Sequence, residues 1–134
     1  MADLANPPTC SVDLRVRYVE VDAMGYLHHS RFLQYFEIAR TEILRQFGVS
    51  YADLEKSGSF FVVIEASVRF RKPARYDDLV TVKATVSKQT PTRIYHDYEM
   101  TRDGVLLATG QTCIVCTDDT GSPQKVPEFL EPKD

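Results

Sequence analysis

A single segment of helical periodicity, followed only by strand patterns, is the feature that most limits the folds open to this chain. In residues 30–47, apolar side chains recur at three- and four-residue spacing, which predicts an amphipathic helix. The glycine that follows, Gly48, is a natural left-handed stop for such a helix. A second, short helix is predicted where Ser50 is followed by Asp53 in a capping pattern, with its end at Gly58.

Alternating apolar and polar residues predict strands on both sides of these helices. A half-buried strand begins at Ser11, and Val16 and Tyr18 continue its inward-facing alternation. After Gly58 four strand patterns follow, and Asp103-Gly104 is a strong hairpin signal between the last two. In the first of the four, alternation places one set of apolar residues on a single face, namely Val62, Ile64, Ala66, Val68 and Phe70.

This order of elements predicts an α+β domain in which an antiparallel sheet of about five strands wraps around one long central helix, the hotdog architecture. We expect a flexible tail at residues 1–10, one domain at residues 11–130 and a second tail at residues 131–134. A single sheet layer leaves an edge open, so we also expect pairing of two copies into a larger sheet.

Composition excludes several classes of function. The chain has 134 residues and a net charge of −3, which argues against a non-specific binder of nucleic acid. No apolar run approaches the roughly 18 residues of a membrane span, and the N-terminus lacks a secretory pattern. Three cysteines without a secretory signal indicate reduced thiols, so we expect a cytoplasmic protein.

The cysteine and histidine patterns favour structural roles over a metal site. Cys113 and Cys116 are three residues apart on a predicted strand, so their side chains should face apart. His96 shares a strand face with apolar residues, which predicts a packed core or interface histidine. The adjacent His28 and His29 are poorly spaced to bind one ion together. We therefore expect neither a metal nor a cofactor.

The acid that precedes the long helix has two interpretations. Asp22 can be a simple turn residue, because aspartate favours turns and helix approaches. It can also be a reactive carboxylate beside the free N–H groups of a helix start, which suit a developing negative charge. Gly25 would let a substrate approach the backbone closely. Ser30 is predicted to cap the helix.

The stretch from Tyr18 to Arg40 resembles a known signature. The spacing of Tyr18, Asp22, Gly25 and His29, with a Phe-Glu-x-Ala-Arg helix motif behind it, is similar to that of the hydroxybenzoyl-CoA thioesterase-like family of hotdog acyl-CoA thioesterases. The resemblance extends over roughly residues 11–130. It implies cofactor-free hydrolysis of acyl-CoA, with Asp22 as nucleophile or general base and the His29 backbone N–H polarising the thioester carbonyl.

The resemblance also implies a homodimer, assembling further to a homotetramer, with active sites between protomers. Family members usually have Thr, an aromatic residue and Asn where this chain has Val21, His28 and Arg31, and Tyr26 is bulkier than the usual aliphatic residue. These differences leave the acyl group and the role of His28 open. We expect the substrate pocket to include Tyr18, Gly25, Tyr26, His28, Val63 and Glu65.

CoA phosphates require cationic anchors, and the densest basic stretch supplies Arg69, Arg71, Lys72 and Arg75. The same residues are equally consistent with a solvated strand face. The predicted function is hydrolysis of acyl-CoA to free acid and CoA. The alternatives are a thioesterase acting on acyl carrier protein and a non-catalytic acyl-CoA-binding protein.

Overall fold

The computed structural model describes residues 7–130 of the chain. Within them the helices are α1 (Ser30–Gln46) and α2 (Tyr51–Lys56), and 3-10 turns lie at Tyr18–Glu20 and Glu128–Leu130. The strands are β1 (Thr9–Arg15), β2 (Phe60–Phe70), β3 (Leu79–Gln89), β4 (Arg93–Arg102) and β5 (Val105–Thr117). The predicted C-terminal tail and most of the N-terminal tail lie outside the described residues, but β1 begins at Thr9, inside the expected tail.

The five strands form one antiparallel sheet in the order β1-β3-β4-β5-β2. Helix α1 packs on one face of this sheet and closes the core. The predicted α+β hotdog architecture is therefore confirmed. The order leaves β1 and β2 as the two edges of the sheet within one protomer.

Helix α1 forms where its periodicity predicts and ends one residue earlier. Its buried face includes the predicted positions Phe32, Phe36 and Ile43. The ring of Phe36 stacks on Tyr98 of β4 at 4.5 Å. Gly110 lies beneath that ring, where a Cβ atom would clash with Phe36, so a glycine here lets the helix approach the sheet closely.

The capping pattern of the short helix is confirmed. Asp53 donates its backbone N–H to Ser50 Oγ at 3.2 Å, and Ser50 donates its N–H to Asp53 Oδ2 at 3.2 Å. This reciprocal pair satisfies two donors that a helix start leaves open. No helix within residues 7–130 is both long and apolar enough to cross a membrane.

Two strand predictions need correction. The first strand ends at Arg15, and Tyr18 begins a 3-10 turn with 77% of its surface exposed, because Glu20 folds back to accept the Arg17 N–H. In β2 a bulge between Val63 and Glu65 shifts the register, so strict alternation does not hold along the strand. As an edge strand it also leaves Val62 and Ile64 exposed in one protomer.

A buried polar cluster lies between the helix and the sheet. Arg40 donates to the hydroxyl of Tyr98 at 2.9 Å, and that hydroxyl lies 2.5 Å from Thr112 Oγ1. His96 stacks beside Tyr98 and is 3% exposed, which confirms its predicted place in the packed interior. Among the described residues, Nδ1 of His96 has no hydrogen-bond partner. Burial, and then the charge of Arg40, lower the pKa of His96 to about 3.

We expect this histidine to make the protein less stable at acidic pH. Its pKa is lowered on folding, so between pH 6.5 and 3 the unfolded chain binds a proton that the folded chain rejects. The contribution of neutral His96 to the free energy of unfolding is therefore complete above about pH 6.5. Between pH 7 and pH 5 the free energy of unfolding falls by about 2 kcal/mol because of this residue. Urea unfolding across this range should show the loss, and His96→Phe should make the free energy of unfolding depend less on pH. The exposed His29→Gln is the control, and an equal flattening there would contradict the assignment.

The two cysteines of the CIVC stretch face apart, as their spacing predicts. Cys116 belongs to the core cluster, whereas Cys113 is buried on the other face of β5 and lines a surface depression there. Both are free thiols. Within residues 7–130, no group of three or more His, Cys, Asp and Glu side chains could hold a metal ion.

Candidate active site

Asp22 lies in a tight turn that fixes one of its two carboxylate oxygens. Oδ1 accepts the backbone N–H of Met24 at 2.9 Å and of Tyr26 at 3.1 Å. The turn closes through the Gly25 N–H, which donates to the Asp22 carbonyl at 2.9 Å. Gly25 has φ of +81°, a conformation that glycine adopts without strain. The side chain is thus held in one orientation while Oδ2 has no partner among the described residues.

Residues 20–22 and 26–28 pair as two short antiparallel segments, here called the crossing. This pairing places Asp22, Tyr26 and His28 on one face. Val21 bridges Leu27, the Asp22 N–H donates to the Tyr26 carbonyl at 2.8 Å, and the His28 N–H donates to the Glu20 carbonyl at 2.9 Å. Leu27 points into the core. Because side chains alternate between faces, Tyr26 and His28 lie on the face opposite to Leu27, together with Asp22.

The start of α1 lies directly beside this crossing. His29 occupies the N-cap position of the helix, but its side chain makes no capping hydrogen bond, and its own N–H has no hydrogen-bond partner among the described residues. The next N–H, of Ser30, donates to Nδ1 of His28 at 3.2 Å. The prediction that Ser30 caps the helix is therefore wrong, because Ser30 is the first helical residue and the His28 ring accepts the bond instead.

A buried acid behind the turn was missed by the sequence analysis. Glu20 accepts the hydroxyl of Tyr35 at 2.6 Å and the N–H of Arg17 at 2.9 Å. Burial raises the pKa of Glu20, but these hydrogen bonds outweigh it and leave the pKa below its ordinary value. Since Glu20 also holds the His28 N–H through its carbonyl, this residue ties the site turn to α1. One feature of the sequence indicates this role. Glu20 is a charged residue at a position where the alternation of the first strand, continued past Tyr18, predicts an inward-facing side chain.

Replacing Glu20 with Gln should destabilise the fold by about 1.5–3 kcal/mol at pH 7, because a charge-assisted buried pair is lost. The pKa of Glu20 is lowered on folding, so its contribution is complete above about pH 4.3 and lost as the pH falls through the folded value. Urea unfolding should show that the difference in free energy of unfolding between wild type and variant is smaller at low pH than at pH 7. The exposed Glu99→Gln is the matched control. A difference in free energy of unfolding that is the same in acid as at pH 7 would contradict a stabilising role for the ionised Glu20 carboxylate.

The basic stretch reaches the same end of the helix. Tyr26 pairs with Arg75 across an isolated bridge, and the Arg75 guanidinium lies 4.6 Å from the Tyr26 ring centre. Arg69 and Arg71 flank Phe70, whose ring packs 4.8 Å from Phe32 in the first turn of α1. All the predicted phosphate anchors are exposed, namely Arg69, Arg71, Lys72 and Arg75.

An exposed apolar patch borders the turn. The Tyr18 ring packs edge-on against Tyr76 at 5.4 Å, yet both rings remain largely exposed, as do Met24 and Phe70. Large apolar side chains that contact one another at the surface, as Tyr18 and Tyr76 do, are typical of an interaction site. Tyr18, a predicted pocket residue, therefore lies on the open surface of the chain, close in sequence to the Asp22 turn.

Two predicted pocket residues are not brought to the turn within one protomer. Val63 and Glu65 lie on β2, five to seven residues before Phe70, the point where β2 meets the start of α1. At a rise of about 3.3 Å per residue, they lie on the order of 17–23 Å from that contact. The structure thus groups Asp22, Gly25, Tyr26, His28, His29 and Arg75 and leaves these two apart.

Comparison with known proteins agrees with the fold. Residues 16–133 match the model of the thioesterase-like superfamily. An acyl-CoA thioesterase of Haemophilus influenzae is 32% identical over 109 residues, which cover 81% of this chain and 80% of the relative. A DHNA-CoA thioesterase from Staphylococcus aureus superposes with a TM-score of 0.85 at 32% identity, over 91% of this chain and 83% of that one. The chain therefore belongs to the thioesterase-like superfamily, as an enzyme of the acyl-CoA thioesterase family.

A further relative differs in the thiol carrier. An acyl-acyl carrier protein thioesterase of Arabidopsis thaliana is 28% identical over 126 residues, which cover 91% of this chain and 65% of the relative. Family membership thus defines thioester hydrolysis as the shared chemistry.

Proposed function

We propose that the protein hydrolyses acyl-CoA thioesters through Asp22 and the backbone N–H of His29. The observation that carries this proposal is the placement of a held carboxylate beside an unpartnered N–H at the start of the long helix. An N–H at that position, with the positive end of the helix dipole behind it, suits the negative charge that develops on a carbonyl oxygen under attack.

Two versions of the chemistry use the same groups. As a general base, Asp22 takes a proton from water while the water oxygen bonds to the carbonyl carbon. As a nucleophile, Asp22 bonds to that carbon itself, and water later cleaves the resulting anhydride. In both versions the carbon–sulfur bond breaks, the carbonyl forms again, and CoA leaves as its thiol after receiving one proton.

The basic residues near the site supply the CoA anchors in this proposal. Arg75 lies against Tyr26, directly beside the Asp22 turn, and Arg69 and Arg71 flank the strand end that meets α1. Exposed guanidinium groups suit phosphate oxygens because they donate two parallel hydrogen bonds. Their position supports a path for the CoA chain from solvent to the turn.

We further propose that the site is completed by a second copy of the chain. The edge strand β2 exposes Val62, Val63 and Ile64 in one protomer, and an unpaired apolar edge favours pairing with another strand. Antiparallel pairing of two β2 edges would bring Val63 and Glu65 of one protomer toward the turn of the other. This arrangement reconciles their predicted place in the pocket with their distance from Asp22 within one chain.

An acyl carrier protein is the second candidate for the thiol carrier, favoured by the Arabidopsis thaliana relative. A thiol-release assay should compare aromatic, short-chain and long-chain acyl-CoAs with the same acyl groups on carrier protein. The proposal predicts turnover of at least one acyl-CoA class. Activity on acylated carrier protein alone would select the alternative, and saturable binding without thiol release would indicate a non-catalytic acyl-CoA-binding protein.

A further inference from the structure

The His28 side chain is held at the start of α1 by two contacts through one ring nitrogen. Nδ1 accepts the Ser30 backbone N–H at 3.2 Å and lies 2.8 Å from Ser30 Oγ. The ring also packs against that of His29, with 4.1 Å between centroids. An imidazole thus serves as the helix cap, a task usually performed by a serine, threonine, aspartate or asparagine oxygen.

The contact with the Ser30 backbone N–H indicates which nitrogen carries the proton, whereas the contact with Ser30 Oγ fits either tautomer. A ring nitrogen that accepts a backbone N–H presents its lone pair and cannot itself be protonated. Neutral His28 therefore carries its proton on Nε2. The helix fixes the ring, so this N–H group is a donor with a defined position rather than a freely rotating one.

The same face of the chain carries His28 and Asp22. The two residues are diagonal neighbours across the short antiparallel crossing, a relation that separates Cβ atoms by about 7–8 Å. The unpartnered N–H of His29 follows His28 directly in the chain. A thioester carbonyl that contacted both Asp22 and the His29 N–H would therefore lie on the same side of the chain as the His28 ring.

We infer that His28 Nε2–H is a second hydrogen-bond donor to the thioester oxygen, acting together with the His29 backbone N–H. The inference rests on the proposed function. As the attacking oxygen bonds to the carbonyl carbon, the π electrons of the carbonyl move to its oxygen, and both donors stabilise that charge. When the carbon–sulfur bond breaks, the charge returns to the carbonyl. The proton stays on Nε2 throughout, so His28 is a donor and not an acid.

Two substitutions separate the donor from the cap. Asn at position 28 places an amide oxygen where Nδ1 now accepts the Ser30 N–H, but it is too short to donate at the Nε2 position. Gln is longer and places its amide N–H near the Nε2 position, while its oxygen fits the cap poorly. Both variants keep a polar, uncharged side chain at the same site.

We expect His28→Asn to keep the Tm of the wild type and to lose about 100-fold in kcat with little change in KM. His28→Gln should lower the Tm by a few degrees through the weaker cap, yet retain a higher kcat than His28→Asn. A wild-type kcat in His28→Asn would overturn the inference. A kcat that follows the Tm across the two variants would also overturn it, because His28 would then act only as a cap.

Asp22→Asn distinguishes this inference from the proposed function. If Asp22→Asn removes activity while His28→Asn does not, only the second donor is refuted. If Asp22→Asn retains full activity, the proposed function itself fails, whatever the His28 variants do.

Discussion

Asp22→Asn should reduce kcat by about 100- to 1,000-fold and leave the fold intact. An amide oxygen can still accept the N–H groups of Met24 and Tyr26, so the turn that Oδ1 organises is retained. The amide can neither take a proton from water nor attack a carbonyl. Steady-state thiol release, with circular dichroism and Tm measured on the same preparations, tests this expectation.

Asp118 offers a matched control for that substitution. Its Oδ1 accepts the N–H groups of Thr120 at 2.9 Å and Ser122 at 3.0 Å, in the same kind of turn but after β5. Asp118→Asn should therefore leave kcat unchanged. An equal loss of activity in both variants would mean that the Asp22 substitution acts through the turn and not through the chemistry.

The proposed pairing of two copies through β2 predicts that a charge on this edge gives a monomer with lower activity. Val62→Asp places a carboxylate on an exposed edge position, where pairing with a second copy would desolvate it. We expect a folded monomer whose kcat/KM is lower by on the order of 100-fold, since the pocket would lose the partner's contribution. Light scattering after size exclusion gives the oligomeric state, and thiol release gives the activity.

Val105→Asp is the control for the edge variant. Val105 is 41% exposed, against 46% for Val62, but it begins β5 at the hairpin, away from the open edge. It should keep both the oligomeric state and the activity of the wild type. An active Val62→Asp monomer would show that one protomer contains a complete site.

The helix and the strand order along the chain could be predicted because local pattern determines them. The apolar spacing of α1 and the stop at Gly48 define that helix within one residue. The bulge between Val63 and Glu65 could not be predicted, since it depends on the register with β5 and no residue type in this stretch marks it. Nor does the sequence reveal which strand becomes an edge, because this depends on the order of pairing.

The site was predictable only in part, for a similar reason. Asp22 and Gly25 stand out because an acid and a glycine before a helix suit a tight turn. The contact between Glu20 and Tyr35 arises from tertiary geometry, because these residues are 15 positions apart in the chain. The His28 ring contacts a residue only two positions away, but imidazole is not among the usual capping groups, so no standard capping pattern marks it. These contacts determine how the reactive groups are held, and no local pattern specifies them.

We propose that Asp22 performs the chemistry on a thioester that the site can bind without this carboxylate. The most direct test is a titration of one hydrolysable acyl-CoA into Asp22→Asn, with thiol release followed in the same sample and in the wild type. We expect the variant to bind the acyl-CoA with a Kd close to the wild-type KM and to release thiol at least about 100-fold more slowly. Thiol release from the variant at the wild-type rate would show that Asp22 does not perform the chemistry.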